Sequence, residues 1–136
     1  MNDKVFVDTN IFVYLYSVDE DEKCTRAFDA LERHNCVTST QVLNEFANFC
    51  IKKWKLVLSD ILPALNEICT ACTIQYIDEG TVRQALEMHG RYGYSYYDCL
   101  MLASALSSGC KYLFSEDMSD GQIINQTLEI VNIFRR

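Results

Sequence analysis

The sequence predicts an α/β fold: a central parallel sheet of four to five strands with helices on both faces, a three-layer α/β/α sandwich. Three observations predict it. The stretch Val5-Phe6-Val7 is continuously apolar rather than alternating, as in a strand buried on both faces. Strand-like runs alternate with helical patterns along the chain, and that order favours parallel strands. Acidic residues follow the strands, where open α/β sheets bind their ligands.

The bounds are consistent with this. At 136 residues the chain predicts one domain, residues 1–136, large enough to bury a core. Hydrophobic residues make up 49% and there is one proline, which excludes a disordered chain. No apolar stretch approaches the roughly 20 residues of a membrane span. The N-terminal residues lack a secretory leader pattern, because the short run after Lys4 ends at Asp8. A cytoplasmic protein is expected. The seven cysteines are odd in number and fall within helical or strand-like patterns, which suits buried reduced thiols. Cys69 and Cys72 form a CxxC with no second pair at zinc spacing, so it reads as helix packing. His34 and His89 have no ligand-like company. The net charge of −7 argues against a generally basic nucleic-acid surface. Carboxylates gathered around cations would account for that charge and leave a local basic patch to hold a polynucleotide.

In chain order, the first strand ends at Val7, and Ile11 to Tyr16 reads as a short helix that Asp8 or Asn10 can cap. Asp19 to Glu22 leads into a second helix with Cys24, Phe28 and Leu31 on one face. Asn35 to Ser39 is a short strand. Thr38 and Gln41 have capping-box spacing, with Ser39 and Thr40 as rival caps. The third helix runs from about Gln41 to Lys53, with Val42, Phe46, Phe49 and either Trp54 or Cys50 on its core face. Glu45 sits in its first turns. Lys52, seven residues on, projects from nearly the same side about 10 Å further along the axis. Lys53 and Lys55 extend the basic cluster.

Ser59 or Asp60 can cap a fourth helix through Ile61, Leu65, Ile68 and Cys72, with Pro63 in its first turn. Thr73 to Ile77 is a strand ending at Asp78. Glu79 to Arg91 is helical, with Val82, Leu86 and His89 on the inner face, and Gly90 and Gly93 loosen the chain after it. Asp98 heads a buried helix through Met101, Leu102 and Ala105 that ends at Ser108-Gly109. Tyr112-Leu113-Phe114 is a strand followed at once by Ser115-Glu116-Asp117, with Asp120 and Gly121 in the next turn. Leu128 to Phe134 is a final strand.

Taken singly, each acid has an ordinary reading: Asp8 and Asp98 as helix caps, Glu45 as a solvated face, Asp117 and Asp120 as turn residues. Taken together, Asp8, Glu45, Asp98 and Asp117 are expected to meet at one rim of the sheet. Four carboxylates there would repel one another unless cations join them. All-oxygen ligands suit Mg²⁺ or Mn²⁺.

At these residues the chain resembles a PIN-domain ribonuclease, and most of all the VapC-type toxin of VapBC toxin–antitoxin pairs. The resemblance spans nearly the whole length. It is carried by Val7-Asp8-Thr9-Asn10, by Asn44-Glu45-Phe46, by Tyr97-Asp98-Cys99-Leu100-Met101-Leu102-Ala103-Ser104-Ala105, and by Leu113-Phe114-Ser115-Glu116-Asp117. The family's four acids map onto Asp8, Glu45, Asp98 and Asp117, its polar position onto Asn10 and its hydroxyl position onto Ser115. Asp120 matches a less constant fifth acid. Cys99 replaces the usual alanine and leaves the acids untouched.

The resemblance implies a PIN-like sandwich that hydrolyses RNA phosphodiesters with Mg²⁺ or Mn²⁺. Asp8, Asp98 and Asp117 would hold one or two ions, and Glu45 would complete the set or orient the attacking water. It also implies a small antitoxin partner and a homodimer. PIN domains serve in RNA processing without an antitoxin too. Two other classes remain open. A receiver-like phosphoacceptor would need a lysine after a late strand, and none follows Phe114; a haloacid-dehalogenase-type phosphatase would need an acid where Asn10 stands. A PIN fold that binds RNA or protein without cutting is the other.

Lys52, Lys53 and Lys55 are the candidate RNA-backbone contacts, and Tyr94, Tyr96 and Tyr97 are candidates to stack on bases. Lys52→Ala with Lys53→Ala is expected to weaken RNA binding and to lower the slope of log affinity against log salt by about 2. Binding isotherms at several salt concentrations check this. An unchanged slope makes those lysines plain surface.

Overall fold

The computed structural model describes residues 3–135. Its sheet has six strands among the described residues, in the order β3-β2-β1-β4-β6-β5. β1 (Lys4–Val7) lies at the centre, parallel to β2 (Asn35–Ser39) on one side and to β4 (Tyr112–Phe114) on the other. β3 (Thr73–Gln75) extends the sheet beyond β2, and β6 (Leu128–Val131) extends it beyond β4, both in parallel. Val5, Phe6 and Val7 are fully buried, which explains their unbroken apolar run: neither face of β1 meets water. Chain direction across the sheet reverses between β1 and β4, so a crevice opens at their carboxyl ends.

Several boundaries differ from the sequence expectation. The sheet gains a sixth strand, β5 (Ile123–Ile124), a two-residue antiparallel partner of β6. β6 stops at Val131, and Ile133–Arg135 forms a 3₁₀ turn in place of strand. β3 ends at Gln75. It is an edge strand, and Ile77 N donates to Thr40 Oγ1 at 3.1 Å, drawing the chain off the sheet before Asp78.

Six α-helices connect the strands among the described residues. α1 spans Thr9–Leu15, α2 Asp21–Arg33, α3 Thr40–Lys52, α4 Leu58–Ala71, α5 Glu79–Tyr92 and α6 Tyr96–Ser107. Ser39 wins the rivalry to cap α3, accepting from Val42 N at 3.3 Å. Neither Ser59 nor Asp60 caps α4. The cap is Val57, with no side-chain bond, so the helix starts earlier than its polar residues suggest. Asp78 and Thr81 form a full capping box on α5, and Gly93 closes that helix in the left-handed conformation at φ 77°.

The core faces of two helices are also shifted. α2 buries Ala27 and Ala30 while Phe28 remains 53% exposed. Phe28 instead lines an open cleft of about 490 Å³ with Phe12, Leu15, Tyr16, Leu31 and Ile68. α5 buries Thr81, Ala85 and Met88, leaving Val82 on the surface and Leu86 57% exposed. The reason is α6. Cys99 through Ala105 are all buried, so α6 is enclosed on every side, and α5 packs on it through the small Ala85. No helix among the described residues is long and apolar enough to cross a membrane. All seven cysteines are free.

The two leucines make a direct test of the faces. Leu102→Ala, in the fully buried helix, is expected to destabilise by about 2–5 kcal/mol, whereas Leu86→Ala is expected to stay within about 0.5 kcal/mol. Urea denaturation of the two variants checks this, and comparable losses would contradict the packing described.

Candidate active site

The pairing of β1 with β4 continues one residue past the strands, where Asp8 N donates to Phe114 O at 3.1 Å. That register delivers the two strand exits side by side. Asp8 caps α1, accepting from Thr9 N at 2.5 Å through Oδ1. Its Oδ2 accepts from Ser115 Oγ at 2.7 Å and from Asn10 Nδ2 at 3.4 Å. Asp8 is therefore a cap and a member of the acid group at once, and only 3% of it is exposed. Ser115, fully buried, also accepts from Asp117 N at 3.2 Å. Asn10 Nδ2 donates to Asp117 Oδ2 at 3.0 Å, and Asn10 Oδ1 accepts from Glu116 N at 3.4 Å. A single amide thus ties Asp117 to Asp8.

Glu45 enters from α3. Thr9 Oγ1 donates to its Oε1 at 2.7 Å, and Gln41 Nε2 to its Oε2 at 2.9 Å. Asp98 enters from the first turn of α6, but Ser95 is the cap, accepting from Asp98 N at 3.2 Å. Asp98 is thereby released from capping, and the positive end of the helix favours its charge.

Burial pushes the Asp8 carboxyl up to about 7. The hydrogen bonds from Ser115 and Thr9 oppose the rise, and the charges of Asp117 and Glu45 add to it. Burial likewise raises Asp98, against its bond with Ser95 and with help from the same two charges. Each of these two acids feels Asp117 and Glu45, so the four share one electrostatic neighbourhood.

No ion pair among the described residues neutralises any of the four. Beside the β4 exit, Lys23 is taken by Glu116 at 2.6 Å, with Tyr14 OH on the other Glu116 oxygen at 2.7 Å. Glu116 therefore turns away from the group. Among the described residues no three His, Cys, Asp or Glu side chains stand at the spacing of a shared ion. The donor chemistry fits a hard divalent cation nonetheless: four carboxylates, no sulfur, no imidazole, and only neutral hydroxyl and amide donors between them.

Asp120 lies one strand over and accepts from Asn132 N at 2.8 Å, holding the turn after β4 to the end of β6. Lys52, Lys53 and Lys55 lie exposed at the far end of α3, and Lys55 has a positive φ of 57°. Thr9 and Gln41 are contributors that sequence reading did not place in the site; it offered Gln41 only as a capping-box partner of Thr38, a role that Ser39 as the cap leaves unfilled. Gln41 precedes Glu45 by one helical turn, a spacing that signals a side-chain pair.

A family model for the PIN domain matches residues 5–119. The chain belongs to the PIN domain family. Solved structures with a similar fold include VapC20 of Mycobacterium tuberculosis, a sarcin-ricin loop cleaving toxin, at 19% identity over 83% of this chain and 89% of that one, TM-score 0.69. A toxin–antitoxin complex from Klebsiella pneumoniae is similar at 18% identity, covering 95% and 97% of the two chains, TM-score 0.72. VapBC2 from Rickettsia felis, bound to a DNA fragment from its promoter, is similar at 18% identity, covering 95% and 99%, TM-score 0.67. No curated protein matches the sequence.

The PIN domain's acid group has a consequence for stability. The folded pKa of Asp8 is raised, so the folded chain binds a proton that the unfolded chain releases between about pH 4 and 7, and stability falls as pH rises through that window. Asp8→Asn removes the ionisation. In chelator, the variant is expected to melt above the wild type at about pH 8, with the difference shrinking toward about pH 4. Thermal melts across pH check the sign, and a variant less stable at the higher pH would contradict it.

Proposed function

We propose that this PIN domain is a metal-dependent endoribonuclease, the toxin of a type II toxin–antitoxin pair, acting in the cytoplasm. The observation that carries the reading is the set of four carboxylates at the β1–β4 crevice with no basic counter-charge. Asp8, Asp98 and Asp117 would hold Mg²⁺ or Mn²⁺, with Glu45 completing the set or orienting the attacking water. The cation supplies charge stabilisation on the phosphate and leaving oxygen and eases deprotonation of water. Ser115 and Asn10 keep Asp8 and Asp117 aligned toward one another. Water attack leaves a 5′-phosphate and a 3′-hydroxyl.

Histidine has no part in the scheme. His34 Nδ1 is 2.8 Å from Ala30 O, and His89 Nδ1 is 2.6 Å from Tyr94 O. Tyr97, 63% exposed and next to Asp98 in the chain, would stack on an unpaired base. A protein partner is supported by the exposed Val57, Leu58 and Leu62 and by the apolar cleft beside α4. The same apolar surface would serve a homodimer.

Purified protein incubated with a mixed cellular RNA pool is expected to cut it with Mn²⁺ or Mg²⁺, and to leave it intact with chelator or as Asp98→Asn. End mapping should find 5′-phosphates. Intact RNA under every condition, from folded protein free of partners, would leave a PIN fold that binds without cutting.

A further inference from the structure

Gln41 stands outside the four acids, yet it joins two of them. It is 8% exposed and lies one turn before Glu45 on α3. Its Nε2 donates to Glu45 Oε2 at 2.9 Å and to the Tyr97 carbonyl oxygen at 3.0 Å. Tyr97 is the residue immediately before Asp98. One amide therefore connects the carboxylate of Glu45 to the main chain that carries Asp98. Both partners are acceptors, so the orientation of the amide is determined: turned over, its oxygen would face two oxygens.

That orientation leaves Gln41 Oε1 buried with no hydrogen-bond partner. Asn10, the other bridging amide of the site, differs in this respect. Its Nδ2 joins Asp117 to Asp8, and its Oδ1 is occupied by Glu116 N. A buried acceptor without a partner costs free energy, and that cost offsets part of what the two donated bonds contribute to stability. The offset leaves the fold little net gain from glutamine here. The second oxygen of Glu45 is held by Thr9 Oγ1, next to Asp8. Gln41 and Thr9 together leave the Glu45 carboxylate no free rotation.

We propose that Gln41 is a positioning residue that fixes Glu45 against the first turn of α6, so that the Glu45 and Asp98 carboxylates are set for a divalent cation that Gln41 itself does not touch. The role rests on the metal-dependent reading of the site. It makes the two bridging amides a pair: Asn10 aligns the acids of the strand exits, and Gln41 aligns the acids of the helices.

The test titrates Mn²⁺ into the full chain by calorimetry, for the wild type, Gln41→Met and Gln41→Leu, with thermal melting in chelator beside it. Methionine keeps the length and removes both hydrogen bonds. The expected result is a melting temperature close to that of the wild type, with Mn²⁺ affinity lower by about tenfold. Equal Mn²⁺ affinity in all three proteins overturns the role of Gln41 and leaves the metal reading standing. Affinity that falls only together with the melting temperature in both variants also overturns it, since the amide then serves the fold. A wild type that binds no Mn²⁺ overturns the metal reading and the role with it.

Discussion

The parallel pairing of β1 with β4 is the interaction on which the site depends. Val7 lies opposite Phe114, and the next residue of each strand, Asp8 and Ser115, meet side chain to side chain at 2.7 Å. Because β2 and β3 lie to one side of β1, and β4 and β6 to the other, the chain leaves these two strands in opposite directions. The crevice between them is open without any residue being spent to hold it open. α3 follows β2 without a loop, so Glu45 is carried over the same rim. α6 packs against β1, β2 and β4 and brings its first turn, with Asp98, to the same end.

The fold holds this arrangement at an electrostatic cost. The hydrogen-bond donors to the buried Asp8 are all neutral, the neighbouring charges of Asp117 and Glu45 share its sign, and among the described residues no ion pair reaches the four acids. Thr9, Asn10, Gln41 and Ser115 supply the donors that make the arrangement tolerable. Compensation comes from the rest of the core: β1 and the Cys99–Ala105 stretch of α6 are buried throughout, and they are the elements beside the acids. A rigid apolar support under a charged rim is what a site of this kind requires, because carboxylates left to move would separate.

The helix faces show where reading a sequence goes astray. Pattern matching favours large apolar residues, and so it placed Phe28, Val82 and Leu86 inside. The packed molecule places Ala27, Ala30 and Ala85 inside. For α5 the reason is its neighbour, since a helix lying on the enclosed α6 needs small residues at closest approach. Phe28 on α2, Leu58 and Leu62 on α4 and Leu86 on α5 are among the large side chains left outside. Capping followed a similar rule. Ser39 and Asp78 took the roles their positions allowed, while α4 began at Leu58 without a polar cap.

By itself the sequence determined the fold class, the central strand and the positions of the acids. These are local properties. An apolar run of three residues marks a doubly covered strand, and an acid directly after it marks the strand exit whatever surrounds it. The tertiary structure alone decided which neutral groups hold those acids. Ser115 reaches Asp8 across 107 residues, and Gln41 reaches Tyr97 across 56. No periodicity or propensity encodes such contacts, because they exist only once the order of the strands in the sheet has brought α3, α6 and the two strand exits to one end.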